Sequence, residues 1–189
     1  EKPIVYGGSF GGFVAQSYAT RYPDHPAKLI LASTAARVDF PTIFAAFERI
    51  GGRHARAVAE TYWLDPTAES RAKYIEVCFP LYRQRPGENT DMLKRSIVKN
   101  EVALKFNGPR NEQGRMDFRA ALKHIRCPVL VLCGDRDPIM PMPFSETIAE
   151  CLPSHLVRFE RFAACGHGVP LDDPERAFRV LREFITGGT

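Results

Sequence analysis

Residues 3–33 constrain the fold more than any other stretch, because they read as strand, glycine-rich turn, helix and strand in immediate succession. Pro3-Ile4-Val5-Tyr6 is a short apolar run ended by glycines, the signature of a buried strand. From Gly11 to Tyr22, Phe13, Val14, Ser17, Tyr18 and Ala19 recur at three- and four-residue spacing, as on one face of a helix. Tyr22-Pro23-Asp24-His25-Pro26 stops that helix. Lys28-Leu29-Ile30-Leu31-Ala32-Ser33 is a second buried strand. Two strands joined by a helix form a crossover unit, and a crossover unit implies a parallel sheet.

The turn inside this unit is Gly7-Gly8-Ser9-Phe10-Gly11. A serine in Gly-x-Ser-x-Gly, after a strand and before a helix, stands where a nucleophile elbow requires it. Such a turn forces the serine into an unfavourable backbone conformation that only small neighbours permit. Gly7 and Gly11 are read as supplying that room, and Gly8 and Gly12 as adding to it. The following helix aims its positive end at the place where an oxyanion would form. The backbone N–H of Phe10 is the expected oxyanion donor. The competing reading of Ser9 is an ordinary flexible loop.

A serine hydroxyl needs a base, and the base needs an acid to orient it. The order expected with an elbow is Ser, then Asp or Glu, then His. Pro128 to Cys133 is a third buried strand ended by Gly134, and Asp135-Arg136-Asp137-Pro138 follows it. An acid there faces the same rim as the elbow. Asp137, before a proline, is placed to project toward a histidine. Asp135 directly follows the strand-ending glycine and is the alternative, with turn capping as its other role. Cys165-Gly166-His167-Gly168 lies between the last strand and the last helix, so His167 is the candidate base. His25, His54, His124 and His155 occupy turn, helical or loop positions and show no metal-ligand spacing.

Between the second and third strands the character changes. Phe40–Ile50, His54–Trp63, Thr67–Leu81 and Asn89–Phe106 are each predicted helical, separated at Asp65-Pro66 and Arg85-Pro86-Gly87. A helical block between strand-rich segments reads as an insertion over a sheet. Residues 107–114 read as a loop, and Asp117 as the cap of a helix through Lys123. Pro143 to Leu152 reads as a helix. Leu156 to Phe162 alternates apolar and charged residues, as a half-exposed strand at a sheet edge does. Asp173-Pro174-Glu175 starts a helix that runs through Ile185. The predicted organisation is residues 1–36 as core, 37–116 as a helical cap and 117–189 as core. Phe44, Phe47, Trp63 and Phe79 are read either as lining a pocket or as ordinary helix packing.

Composition narrows the function. The chain has 189 residues, 44% hydrophobic and 25% charged, with a formal charge of +4. That is a globular balance with room for a sizeable core. Arginines are scattered rather than clustered, which argues against nucleic acid as a partner. No apolar stretch reaches the length of a membrane span, so no membrane partner is expected. The five cysteines form no Cys-x-x-Cys pair. Free thiols in a reducing, cytoplasmic setting fit them. Cys165 is conceivable as a reactive thiol, though a plain buried thiol is the preferred reading.

GGSFGG, KLILAS, the helical block, PVLVLCGDRDPIMP and CGHG occur in the order found in the α/β-hydrolase superfamily, and the chain resembles that superfamily from residue 3 to residue 185. The resemblance implies the α/β-hydrolase fold, a mostly parallel sheet flanked by helices under a helical cap. In that family the acid is the fourth residue of Gly-x-x-Asp-x-x-x-Pro, and Gly134, Asp137 and Pro141 match. The chain is similar to the proline iminopeptidase branch, where a glutamate in the segment matched by Phe106 to Glu112 helps hold a free amine. Glu112 is thereby a candidate substrate-binding residue, with a solvated loop residue as the other reading. That branch often has a second glutamate where this chain has Pro138.

The function these readings imply is a serine hydrolase acting on an ester or amide, an amino-terminal proline peptide bond included, with a small molecule or short peptide as substrate. No cofactor or metal is expected. An acyltransferase or lyase on the same scaffold, or a weakly active fragment serving as a binding module, is the alternative. The family also carries strands before the elbow and a His-Gly loop supplying a second oxyanion donor. Residues 1–189 hold neither, so an amino-terminal half or another chain is expected as partner.

Overall fold

In the computed structural model, the structure describes residues 1–85, 97 and 99–187. The core is a four-stranded parallel sheet in the order β1 (Ile4–Gly8), β2 (Lys28–Ala32), β3 (Val129–Gly134), β4 (Val157–Phe162). The register pairs Val5 with Leu29, Leu31 with Val131 and Val131 with Phe159. Strand alternation sorts the apolar residues onto two faces. Leu29, Leu31, Val129 and Val131 pack with Ala15 and Ala19 of helix α1 (Phe10–Arg21) and with Ile148 of a helix at Met142–Cys151. Ile30, Ala32, Leu130 and Leu132 pack on the opposite side with Ala177 and Val180 of the last helix, Pro174–Thr186. Burial on both faces explains why β2 and β3 are continuous apolar runs.

The edge strands differ. β4 carries Arg158, Glu160 and Arg161, whose ion pairs reach Glu183, Arg176 and Glu146. Charges of this kind blunt a sheet edge. β1 carries Ile4 and Tyr6, 40% and 52% exposed.

The chain leaves the sheet at Arg37 and returns at Asp117, and these two residues form an antiparallel bridge. Phe118 N donates to Ala36 O beside it (2.9 Å). Within this excursion a long helix, α2 (Phe40–Leu64), is broken at Gly52, where φ is 78° and ψ −179°. The two predicted helices on either side of Gly51-Gly52 are therefore distinct arms. Helix α3 (Ala68–Val77) starts at a capping box of Thr67 and Ser70 and gives way to a 3-10 turn at Phe79–Tyr82, where Pro80 ends the regular helix. Of the predicted helix 89–106, only Asn100–Phe106 is described as helical. Residues 89–96 and 98 of that reading lie outside the described residues.

Three short helices depart from the sequence reading. The predicted loop 107–114 contains one helical turn, Glu112–Arg115. The helix after Asp117 is only Arg119–Leu122, although Asp117 Oδ1 does accept from Arg119 N (3.1 Å). A turn at Val169–Asp172, just after His167, was not predicted. None is long enough to show a hydrophobic period. The start of the last helix is as read: Pro174 is at its first turn and the Asp173 side chain accepts from Arg176 N (3.2 Å). Among the described residues, no helix is long and apolar enough to cross a membrane.

Candidate active site

All four strands run the same way, so the loops leaving their carboxyl ends share one rim. Ser9 follows β1, Asp137 follows β3 and His167 follows β4. Ser9 has φ 51° and ψ −123°, a left-handed conformation that a residue with a side chain adopts only when its surroundings impose it. The imposing contacts are specific. Ser9 N donates to Ala32 O (3.0 Å), and Ser9 O accepts from Gly12 N (2.9 Å) and from the Thr34 hydroxyl (2.8 Å).

Of the glycines read as giving room to this turn, Gly7 and Gly12 do so and Gly8 and Gly11 do not. A Cβ on Gly7 would lie 2.6 Å from Ala15 Cβ, and one on Gly12 would lie 2.5 Å from Thr34 Cγ2. A Cβ on Gly11 would meet nothing within 4 Å among the described residues, and one on Gly8 only ordinary contacts from 3.5 Å outward. Gly7 and Gly12 are thus the positions where α1 presses on the sheet and on Thr34.

Asp137 is fully buried, with 0% exposure. Its Oδ1 accepts from Ile139 N (2.9 Å) and Met140 N (2.8 Å), and its Oδ2 lies 2.8 Å from His167 Nδ1. A carboxylate only accepts, so Nδ1 carries the hydrogen of this bond and Nε2 is the ring nitrogen turned from Asp137. Asp135 takes no part: its backbone N donates to Phe162 O (3.0 Å) and its carbonyl accepts from Arg49 (3.1 Å). The structure brings Asp137 and His167 into contact. Among the described residues Ser9 makes no hydrogen bond to His167. Phe10 N begins α1 with no carbonyl acceptor among the described residues, and its ring packs edge-on against Phe106 at 4.9 Å.

Glu112 stands apart. It is exposed and pairs with Arg115 at 3.0 Å. Its neighbour Gln113 is the buried one and accepts from Gly108 N (3.2 Å). The other four histidines are exposed, and His25 bonds to the Tyr18 hydroxyl. Cys165 is buried, and that burial pushes its thiol up to about 11, so it is not a ready thiolate.

Two residues near the histidine were missed in the sequence. Asp172 is 2% exposed and accepts from Gly166 N (2.7 Å), Gln84 N (3.1 Å) and Arg85 N (3.1 Å). It clamps the loop before His167 to the segment after the 3-10 turn. Tyr82 belongs to that turn: its carbonyl accepts from His167 N (2.8 Å) and its ring lies edge-on to the imidazole at 5.2 Å. Both link residues more than eighty positions apart, so no local pattern announces them.

Beyond Tyr82 opens a cavity of about 420 Å³ lined by Tyr62, Trp63, Arg71, Tyr74, Phe79 and Asn107 among others. Of the aromatic residues flagged in the sequence, Trp63 and Phe79 line it, whereas Phe44 and Phe47 are buried in a cluster shared with Phe13 of α1 and with Ile139, Met140 and Phe144. Burial holds the phenols of Tyr74 and Tyr82 well above their ordinary range, hence neutral.

The family model described as the alpha/beta hydrolase family matches residues 1–180. A pimeloyl-[acyl-carrier protein] methyl ester esterase of Aromatoleum aromaticum is 28% identical over 187 residues, covering 97% of this chain and 74% of its own. The proline iminopeptidase PfmaB of Pestalotiopsis fici is 30% identical over 192 residues, covering 96% and 66%. The crystal structure of a Mycobacterium smegmatis proline iminopeptidase superposes with a TM-score of 0.69 at 19% identity, covering 98% of this chain and 65% of that one. That likeness speaks for the fold. The chain spans 74% and 66% of the length of these two curated relatives and 61–62% of three others that it matches.

Proposed function

The chain belongs to the alpha/beta hydrolase family, and from that premise we propose that it is a serine hydrolase working through an acyl-enzyme on Ser9. His167 Nε2 takes the Ser9 proton as Oγ attacks the substrate carbonyl. Asp137 fixes the imidazole tautomer and stabilises the cation that forms. The Phe10 N–H and the positive end of α1 receive the oxyanion. His167 then returns the proton to the leaving group, and water, deprotonated by the same imidazole, releases the acid. The observation that carries this reading is the buried Asp137 carboxylate held by two N–H groups at 2.8 Å from His167 Nδ1, on the rim where Ser9 is strained. Ser9 Oγ must close on Nε2 for the first step, and such contacts are commonly long until substrate is bound.

An ester is the substrate class favoured over an amino-terminal proline peptide. Among its described lining residues the cavity beside Tyr82 holds a guanidinium and no carboxylate, and Glu112 is engaged with Arg115, so none of the described residues there is set to hold a free amine.

The test is release of p-nitrophenol from short-chain p-nitrophenyl esters, with and without an acceptor alcohol. Hydrolysis abolished by Ser9→Ala and His167→Ala supports the proposal. Transfer to the alcohol in preference to water assigns an acyltransferase instead. Turnover unchanged by both substitutions refutes it.

A further inference from the structure

The cavity beyond Tyr82 has a composition that selects its ligand. Helix α3 turns Arg71, Tyr74 and Ile75 onto one face at three- and four-residue spacing, and all three line the cavity. Tyr62, Trp63, Tyr74, Phe79 and Tyr82 supply aromatic walls, with Tyr62 and Tyr74 at 4.7 Å and Trp63 edge-on to Tyr74 at 5.6 Å. The phenol hydroxyls on those walls are already engaged, whereas the buried Trp63 indole N–H has no hydrogen-bond partner among the described residues. The hydroxyls of Tyr74 and Tyr82 are 2.6 Å apart, and Asn107 Nδ2 donates to the Tyr62 hydroxyl at 2.5 Å.

Arg71 is the charged group with donors to spare. One of its five N–H groups donates to the neutral side chain of Asn100 (2.8 Å). Among the described residues no carboxylate lies within ion-pair distance of it. The space also has a defined place in the site. Tyr82 joins it to His167 at one end, and Asn107 joins it through Phe106 to Phe10 at the other.

A cation with spare planar donors at the wall of an aromatic slot fits a flat group that ends in a carboxylate. We propose that this cavity binds the acyl portion of the substrate, and that this portion is an aromatic or otherwise planar unsaturated acid whose free carboxylate pairs with Arg71. The inference rests on the serine-hydrolase reading for the word acyl, but the binding of a planar anion does not depend on it.

Trp63 is the single tryptophan of the chain and lines the cavity, so its fluorescence reports occupancy without any turnover. Benzoate and its neutral counterpart benzamide are titrated into the parent chain, Ser9→Ala, Arg71→Gln and Arg71→Lys. Benzoate is expected to quench Trp63 and to bind at least about fivefold tighter than benzamide, the size of one partly exposed ion pair. The preference should survive in Ser9→Ala, weaken with added salt, vanish in Arg71→Gln and persist in part in Arg71→Lys. Thermal melts of the Arg71 variants matching the parent's show that folding is intact.

Equal affinities, no quenching by either compound, or a benzoate preference untouched in folded Arg71→Gln overturns the proposal. The two readings fail separately. Labelling of Ser9 without any preference for benzoate leaves the hydrolase and removes the anion site. A benzoate preference without a reactive serine leaves the anion site and removes the hydrolase.

Discussion

Asp172 is where a single buried group is asked to hold the histidine in place. Its two oxygens accept from Gly166 N at 2.7 Å, from Gln84 N at 3.1 Å and from Arg85 N at 3.1 Å. In Asp172→Asn the amide keeps one acceptor oxygen. The less costly orientation leaves that oxygen facing Gln84 and Arg85, because Oδ1 serves both. The new NH2 group then faces Gly166 N, donor against donor. One charge-assisted hydrogen bond is lost, about 1.5–3 kcal/mol. If that energy sets how often the loop presents His167 correctly, the rate of any step needing His167 falls about ten- to a hundredfold. The assay is the second-order rate of Ser9 labelling by a fluorophosphonate, measured with the melting temperature. The expected result is a lower melting temperature and labelling slowed by about tenfold or more, with Asp172→Glu intermediate. A variant destabilised by the expected amount yet labelled at the parent rate refutes the reasoning: Asp172 would hold the fold without holding the imidazole.

Other outcomes follow from the same contacts. Gly12→Ala drives a Cβ into Thr34 and should lower stability by about 1–3 kcal/mol, while Gly11→Ala, with nothing within 4 Å, should be neutral or raise it by up to about 1 kcal/mol; urea midpoints compare the two. Asp137→Asn removes the carboxylate that fixes the tautomer and should slow Ser9 labelling by about a thousandfold or more, whereas Asp135→Asn should leave the rate near the parent's. Burial pushes the thiols of Cys78 and Cys133 up to about 12 and that of Cys165 up to about 11. A raised value means the unfolded chain releases its thiol protons first, from about pH 8.5. Stability from these groups is therefore full below that pH and is lost as pH climbs toward 11–12; the urea midpoint should fall between pH 8 and pH 10.5, and a flat profile would contradict this.

Much of the fold was legible because its elements carry strong local periods. β2 and β3 are continuous apolar runs since both their faces are covered, and the last helix announces itself with Asp173 and Pro174. Asp137 was also readable, since its distance from Gly134 and the proline after it aim it away from the turn that Asp135 occupies. What was not legible depends on contacts between distant residues. The spacing of Gly-x-Ser-x-Gly points to Gly7 and Gly11; a Cβ on Gly7 would indeed meet Gly11 O and Ala15, but the second close approach falls at Gly12, where Thr34 decides it. Asp172, Tyr82 and Arg71 gain their surroundings only when the excursion between Arg37 and Asp117 folds over the rim. Glu112 looked available in the chain, but a helical turn places Arg115 beside it.

The central claim is that three side chains separated in the chain form one reactive unit, and its most direct measurement is peptide mapping after exposure to a fluorophosphonate. The account predicts a single adduct on the peptide bearing Ser9, absent in Ser9→Ala and strongly reduced in His167→Ala and Asp137→Asn. A folded protein that takes up no adduct, or takes it up at another residue, or labels Ser9 equally well without His167, contradicts it.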